Sequence, residues 1–115
     1  MRNVKVSRFL LIVIVLSIVC MLNVTVDAAG RKYGPCGKNV KFVLETDGVL
    51  TISGTGEMKD YQGIGDISPW GTEVKSIIIE DGVTHIGSSA FYNCTAESVT
   101  IPDSVTSIGN AAFAN

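Results

Sequence analysis

Apolar and polar residues alternate on both sides of a turn in the segment 39–56, which is the pattern of a β-hairpin. The turn is either the two residues Asp47-Gly48 or the three residues Thr46-Asp47-Gly48. The shorter loop would oppose Leu44 to Thr51 and mix apolar with polar side chains on one face. The longer loop opposes Leu44 to Leu50 and places Gly48 in the left-handed position that this loop type requires. It gathers the apolar residues on one face: Val40, Phe42, Leu44, Leu50 and Ile52. Because an isolated hairpin is barely stable in water, we expect this face to cover the open end of the repeat stack.

A second apolar pattern occurs twice, 22 residues apart. Residues 79–93 (IEDGVTHIGSSAFYN) and 101–115 (IPDSVTSIGNAAFAN) are identical at nine of fifteen positions. The identical residues are apolar side chains and turn formers, whereas the differing residues are mostly surface types. A repeat of roughly 20–29 residues that keeps its core and varies its surface is typical of a stacked solenoid.

Within each repeat the alternation predicts one strand and one short helical turn. The strands are expected at 76–80 and 98–101, stacked in parallel, with Ile77 and Ile79 pointing inward and Ile78 outward. We expect Ser88 to cap a helical turn that carries Ala90 and Phe91 into the core. In the second repeat the inward positions should lie at an uncovered end of the stack: Val105, Ile108 and Phe113.

The segment 55–71, between hairpin and repeats, contains four glycines and Pro69, which predicts irregular turns. Its large apolar residues are expected to hold it against the first repeat: Tyr61, Ile64, Ile67 and Trp70.

The N-terminus has the pattern of a secretory signal peptide over residues 1–28. Arg2, Lys5 and Arg8 precede the apolar run 9–22, and Val26-Asp27-Ala28 permits cleavage before Ala29. The alternative is an uncleaved membrane anchor, although the run is shorter than the ~20 residues of a spanning helix. We therefore divide the chain into a signal peptide (1–28), a lead-in with hairpin cap and glycine-rich linker (29–73), and the repeats (74–115), the second of them truncated. The expected fold is mainly β, with a hydrophobic signal helix in front of it, and any membrane contact is confined to an uncleaved signal segment.

Charge and cysteine content narrow the functional classes. Residues 29–115 carry six Lys/Arg against ten Asp/Glu, a net charge of −4 with no basic stripe, so nucleic-acid binding is not expected. Export would permit a disulfide between Cys36 and Cys94. The alternative is that Cys94 acts as a small buried hydrophobe.

The motif I-x-I-[EP]-D-[GS]-V-T-x-I-G-x-x-A-F-x-N-C resembles the BspA-like leucine-rich repeat of secreted and cell-surface proteins. The segments Cys36-Gly37-Lys38-Asn39, DGVLTISGTGEM (47–58) and Ser68-Pro69-Trp70 resemble the lead-in that often precedes such repeats. The resemblance implies an exported module for protein–protein or cell-surface contact. One departure is that the family's leucine after the cysteine is missing from Cys94-Thr95-Ala96-Glu97-Ser98, so the spacing is 22 rather than 23 and one core position is empty or refilled. The other is that the second repeat stops at Asn115, before its cysteine.

Candidate chemistry is sparse. His85 is the only histidine and takes the variable place that Ser107 fills in the next repeat, so a Ser-His-Asp triad is not expected. No zinc-ligand spacing occurs, and we expect no catalytic residues, metal or cofactor. A row of outward strand residues is the expected interaction face: Ser76, Ile78, Glu80, Ser98 and Thr100.

The sequence therefore predicts a non-enzymatic repeat module with an unknown protein or cell-surface ligand, and with self-association through the uncapped C-terminal repeat as one route to completing the stack. The alternatives are the N-terminal part of a larger secreted enzyme or wall-associated protein, and a truncated, non-functional product.

Overall fold

The computed structural model describes residues 24–115, and this part of the chain contains nine strands and no helix. The strands are β1 (Thr25–Val26), β2 (Lys32–Pro35), β3 (Val40–Leu44), β4 (Val49–Gly54), β5 (Gly56–Glu57), β6 (Ser76–Ile79), β7 (Val83–Ile86), β8 (Ser98–Thr100) and β9 (Ser107–Ile108). They form one sheet in the order β1-β2-β3-β4-β6-β8 and a second in the order β5-β7-β9. The apolar run 9–22 of the predicted signal peptide (1–28) lies outside the described part, whereas its last five residues, 24–28, are described and include β1. Among residues 24–115, no helix has the length and apolar character needed to cross a membrane.

The hairpin β3–β4 has the register of the three-residue loop. Leu44 pairs with Leu50, Phe42 with Ile52 and Val40 with Gly54, and Gly48 has a φ of 91°. The register is set by burial, because a one-residue slip would turn the apolar set toward solvent.

The hairpin joins the repeats edge to edge. Strand β4 pairs in parallel with β6, Leu50 opposite Ile77 and Ile52 opposite Ile79, and β6 pairs in parallel with β8, Ser76 opposite Ser98. The predicted strands and their parallel stacking are thus confirmed. Ile77 and Ile79 are buried, whereas Ile78 is 39% exposed.

The second sheet was not predicted. Strand β7 directly follows the turn after β6, and its buried residues Val83 and Ile86 bracket two polar ones. It pairs in parallel with β5 on one side and β9 on the other. The pattern apolar-polar-polar-apolar does not alternate with a period of two, which is why it gives no strand signal.

The predicted helical turn in each repeat is wrong. Residues 88–93 form consecutive tight turns, in which the amides of Ala90, Tyr92 and Cys94 each donate to the carbonyl three residues earlier. Ser89 and Asn93 have φ values of 55° and 56°, which a right-handed helix cannot contain. Ser88 does not cap this turn, since its hydroxyl accepts from the amide of Asn110 in the next repeat at 3.1 Å.

The aromatic core follows the direction of stacking. Trp70 is buried against Phe42, Tyr61 and Phe91, and its Nε1–H donates to the carbonyl of Ala90 at 3.0 Å. Tyr61 and Trp70 therefore hold the linker as predicted. The same prediction for Ile64 and Ile67 is wrong, because their side chains are 105% and 75% exposed.

The segment 49–75 behaves as an extra coil ahead of the two repeats. We call it the lead coil, and we call 76–97 coil one and 98–115 coil two. Strand β4 matches β6 and strand β5 matches β7 with the same offset, since Val49 pairs with Ser76 and Gly56 with Val83. Coil one is thus covered on one side by the lead coil and on the other by coil two, and both follow the same backbone course as coil one.

Coil two lies at the open end of the stack. Val99, Ile101, Ile108 and Phe113 are 37–54% exposed, whereas their coil-one counterparts Ile77, Ile79, Ile86 and Phe91 are at most 2% exposed. The uncovered end is therefore as expected. Val105 is partly buried, and Ala96, which lies 22 residues after the buried Val74, packs against the core in place of the family's leucine.

Both described cysteines are free thiols. Cys36 is buried in the core, and the Cys94 thiol lies 3.7 Å from the carbonyl of Gly71. The structure therefore agrees with Cys94 as a small, partly buried side chain rather than one half of a disulfide.

Candidate interaction face

The five residues predicted for the interaction face lie on the solvent side of the six-stranded sheet. Ser76 stands opposite Ser98 and Ile78 opposite Thr100, so four of them form two adjacent cross-strand pairs. Glu80 follows directly after β6, and its amide donates to the carbonyl of Ile52. All five have side chains that are exposed or, at Ser76, half-buried. Because successive residues of a strand point to opposite faces, the buried Ile77 and Ile79 require Ile78 to face solvent.

The hairpin extends this face well beyond the repeats. Tyr33 pairs with Val43, Val43 with Thr51, Thr51 with Ile78 and Ile78 with Thr100, so one row of side chains crosses five strands. We call it the outer row. Its members from the hairpin side, Tyr33, Val43 and Thr51, were missed from the sequence. The outward alternation of the hairpin was available as a signal, but nothing local showed that the hairpin joins the same sheet.

A shallow depression of about 280 Å³ adjoins the outer row at Tyr33. It is lined by Asp27, Arg31, Tyr33 and Val43. The Arg31 guanidinium donates to the Asp27 carboxylate at 2.7 Å and reaches Glu45 at 3.8 Å. Burial opposes ionisation of Asp27, but the hydrogen bonds and charge of Arg31 outweigh it, so the pKa of this carboxyl lies below its ordinary value. Asp27 lies within the predicted signal peptide (1–28), so this ion pair is present only in the uncleaved chain; after cleavage before Ala29, this end of the row would keep Tyr33, with Arg31 facing Glu45 alone.

In the second sheet, His85 connects a series of polar contacts. Its Nε2 lies 3.0 Å from Asp60 Oδ1, and its Nδ1 lies 2.6 Å from Ser107 Oγ. The same Asp60 oxygen accepts from the amide of Ser88 at 2.8 Å. The hydrogen bond from His85, followed by that from Ser88, holds the pKa of Asp60 below its ordinary value.

These hydrogen bonds place a serine, a histidine and an aspartate in contact, which the sequence did not predict. His85 is not a free surface residue, since its side chain is only 19% exposed. Each of the three residues comes from a different layer of the stack: the lead coil, coil one and coil two. We therefore interpret the contacts as a hydrogen-bonded link between layers.

The described residues offer no metal site. Across 24–115, no three His, Cys, Asp or Glu side chains converge closely enough to hold an ion.

Comparison with known proteins agrees with this architecture. The model described as BspA type leucine rich repeat region (6 copies) matches residues 63–115. In the crystal structure of a leucine-rich repeat protein from Eubacterium ventriosum, the similar region is 44% identical with a TM-score of 0.58, and the match covers 68% of this chain. The chain spans only 22% of the length of that protein. No curated protein matches the chain.

The matched residues contain both coils and all five residues of the predicted interaction face. Residues 63–115 of this chain belong to the BspA-type leucine-rich repeat family.

Proposed function

We propose that the chain is an exported, non-enzymatic repeat module that contacts a protein or cell-surface ligand through the outer row. The observation that carries this proposal is the continuity of the row from Tyr33 to Thr100 across five paired strands. Repeat proteins use such extended surfaces for recognition.

The composition of the row supports binding. Tyr33 and Ile78 are 41% and 39% exposed, and between them lie the half-buried Val43 and Thr51. Aromatic and aliphatic groups flanked by hydroxyls are suited to a mixed apolar and polar contact, and tyrosine is enriched at protein interfaces. The family to which the repeats belong favours the same role.

Selection from a random peptide display library on the immobilised full-length chain tests the outer row. We expect enriched peptides whose binding falls at least tenfold with Ile78→Asp, because a charge in the middle of the row cannot be covered without loss of its hydration. Asn110→Asp is the control, since it adds the same charge at an exposed position outside the row. Peptides that bind Ile78→Asp and the parent chain equally would contradict the proposal.

Export has its own test. When the complete gene is expressed in a bacterial host, we expect the chain in the medium or at the cell surface with Ala29 as its first residue. N-terminal sequencing of the recovered protein checks this, and a chain retained in the cell with an intact N-terminus would contradict it.

The exposed end of coil two favours self-association as a second mode of contact. Ile108 is 54% exposed and Phe113 37% exposed, although the equivalent residues of coil one are buried. We propose that two copies cover these ends mutually. Sedimentation equilibrium should show a concentration-dependent dimer that Ile108→Asp dissociates, and a monomer up to about 100 µM would exclude a dimer of even moderate strength.

A further inference from the structure

The lead coil contains an insertion that coil one does not have. In coil one, Ser89 and Phe91 are two positions apart; in the lead coil, Tyr61 and Trp70 occupy the corresponding places nine positions apart. Two contacts establish the correspondence: the Tyr61 amide donates to the carbonyl of Ser88 as the Ser89 amide donates to that of Asn110, and Trp70 stacks on Phe91. The seven additional residues belong to the segment 62–69. We call residues 62–67 the insertion loop.

The insertion loop is a closed structure with apolar residues at its surface. Gly63 and Asp66 bond each other through both backbone groups, at 3.1 and 3.2 Å, and Ile64 is at the tip between them. The Asp66 carboxylate pairs with Lys59 and also accepts from the amide of Gln62. The loop is thus held in shape by its own bonds, while Ile64 and Ile67 remain 105% and 75% exposed.

A pocket of about 310 Å³ separates the insertion loop from the turns of coil one. Its wall includes Tyr61, Asp66 and Ile67 on the loop side and Ser89, Tyr92 and Asn93 on the other. The lining is predominantly apolar, and Asp66, its one charged side chain, is already paired with Lys59. Tyr92, one of the lining residues, is 50% exposed. The volume is at the lower end of the range for ligand pockets, about 300–1,000 Å³, which is room enough for one large side chain.

We propose that the insertion loop and this pocket dock a segment of a partner protein, which inserts one uncharged aromatic or branched aliphatic side chain between Ile67 and Tyr92 and covers Ile64 with adjoining apolar surface. The pocket is large enough for one such side chain, and an uncharged one suits it because its lining is mainly apolar and the Asp66 carboxylate is already paired with Lys59. Insertions in repeat proteins emerge as loops on one face, which is often the binding face. The site does not involve the outer row, so each can fail without the other.

Titration of the isotopically labelled full-length chain with N-acetyl-phenylalaninamide tests the pocket, with N-acetyl-serinamide as the polar control. We expect saturable changes in the backbone amide signals of Gly63, Gly71 and Ser89 with the phenylalanine probe only. Tyr92→Ala should weaken this binding at least tenfold, and it copies coil two, which has Ala114 at the equivalent position. Ile67→Ser changes an exposed residue on the opposite wall and should weaken binding in the same direction, which keeps the test valid if Tyr92→Ala does not fold.

Ile78→Asp should leave the affinity for the phenylalanine probe within twofold of the parent chain, because it changes only the outer row. Equal responses to the two probes, or a phenylalanine affinity unaffected by Ile67→Ser, would overturn the proposal. A different occupant would also overturn it: if phosphatidylcholine vesicles bind the chain, Ile64→Asp abolishes that binding, and the phenylalanine probe shifts none of the three amides, the loop is a membrane contact.

Discussion

Trp70 lies on Phe91 with ring centroids 5.4 Å apart and an angle of 28° between the planes. Phe91 lies on Phe113 in nearly the same way, at 5.3 Å and 20°. Because Phe91 and Phe113 are equivalent repeat positions, Trp70 serves as the phenylalanine of the lead coil. A residue from the lead coil, which lacks the 22-residue spacing of coils one and two, thus continues the aromatic stack of the repeats.

Two substitutions of Trp70 separate the contribution of its ring, which stacks on Phe91, from that of its hydrogen bond to the carbonyl of Ala90. Trp70→Ala leaves a cavity between the lead coil and coil one and should cost ~3–5 kcal/mol. Trp70→Phe keeps a ring on Phe91 but leaves the buried carbonyl of Ala90 without its donor, which costs about 1–3 kcal/mol. Urea unfolding measures both, and equal losses would show that stacking contributes little.

The two repeat phenylalanines should respond differently to the same change. Phe91 is 1% exposed and Phe113 37% exposed. Phe91→Ala should cost ~3–5 kcal/mol, while Phe113→Ala should cost clearly less, because part of that ring is already in water. Thermal and urea unfolding of the two variants in parallel provide the comparison. Similar losses would mean that the end of coil two is covered in solution.

Gly87 and Gly109 allow the backbones of neighbouring layers to approach closely. A Cβ on Gly87 would collide with the carbonyl oxygen of Lys59, and one on Gly109 with the amide of Ser88. We expect Gly87→Ala to destabilise the chain by more than about 1 kcal/mol, since the backbones must separate. Gly109→Ala should act mainly on coil two, and hydrogen exchange of residues 98–115 would show it. If Gly87→Ala unfolds at the same urea concentration as the parent chain, this close approach does not matter for stability.

The contact of Asp60 with His85 predicts that the stability of the fold depends on pH in the acid range. The pKa of Asp60 is lowered in the folded state, chiefly by His85, so its contribution is present above the ordinary carboxyl range and is lost as the pH falls through the lowered pKa. His85→Ser, which copies Ser107, removes the cause and should lower stability at neutral pH by less than about 1 kcal/mol, because the pair is at the surface.

Urea unfolding from pH 2 to 7 measures this effect. Between pH 4 and pH 2 the difference between the parent chain and His85→Ser should shrink as Asp60 is protonated, and Asp60→Asn should remove this change with pH. A difference that grows between pH 4 and pH 2 would contradict the assignment.

The two described cysteines should differ in reactivity. Burial raises the pKa of the Cys36 thiol to about 12, and burial also raises the pKa of the less enclosed Cys94. Since the thiolate is the reactive form, Cys36 should be labelled only as the chain unfolds, whereas Cys94 should react slowly in the folded state. Labelling with a thiol reagent in a Cys20→Ser background, followed by peptide mapping, checks the order. Equal labelling of both in the native chain would mean that the lead-in opens readily.

Local sequence was sufficient where burial alternates within a few residues. The hairpin register followed from Leu44, Phe42 and their partners, because any other pairing exposes apolar side chains. The inward and outward sides of β6 followed in the same way from Ile77 and Ile78. The 22-residue period predicted which strands stack, since identical side chains in successive coils occupy equivalent places.

Contacts between layers were decided by the tertiary structure. Three features join residues that are one or two coils apart: the pairing of β5 with β7, the place of Trp70 in the aromatic stack, and the link from Asp60 through His85 to Ser107. None of them depends on a pattern within one element. The exposure of Ile64 and Ile67 was also beyond local reasoning, because an apolar residue in a glycine-rich loop is buried only if a neighbouring element leaves room for it. In this chain the sequence by itself determined the faces of each strand, and the stacking of layers decided which of those faces became core, interface or open surface.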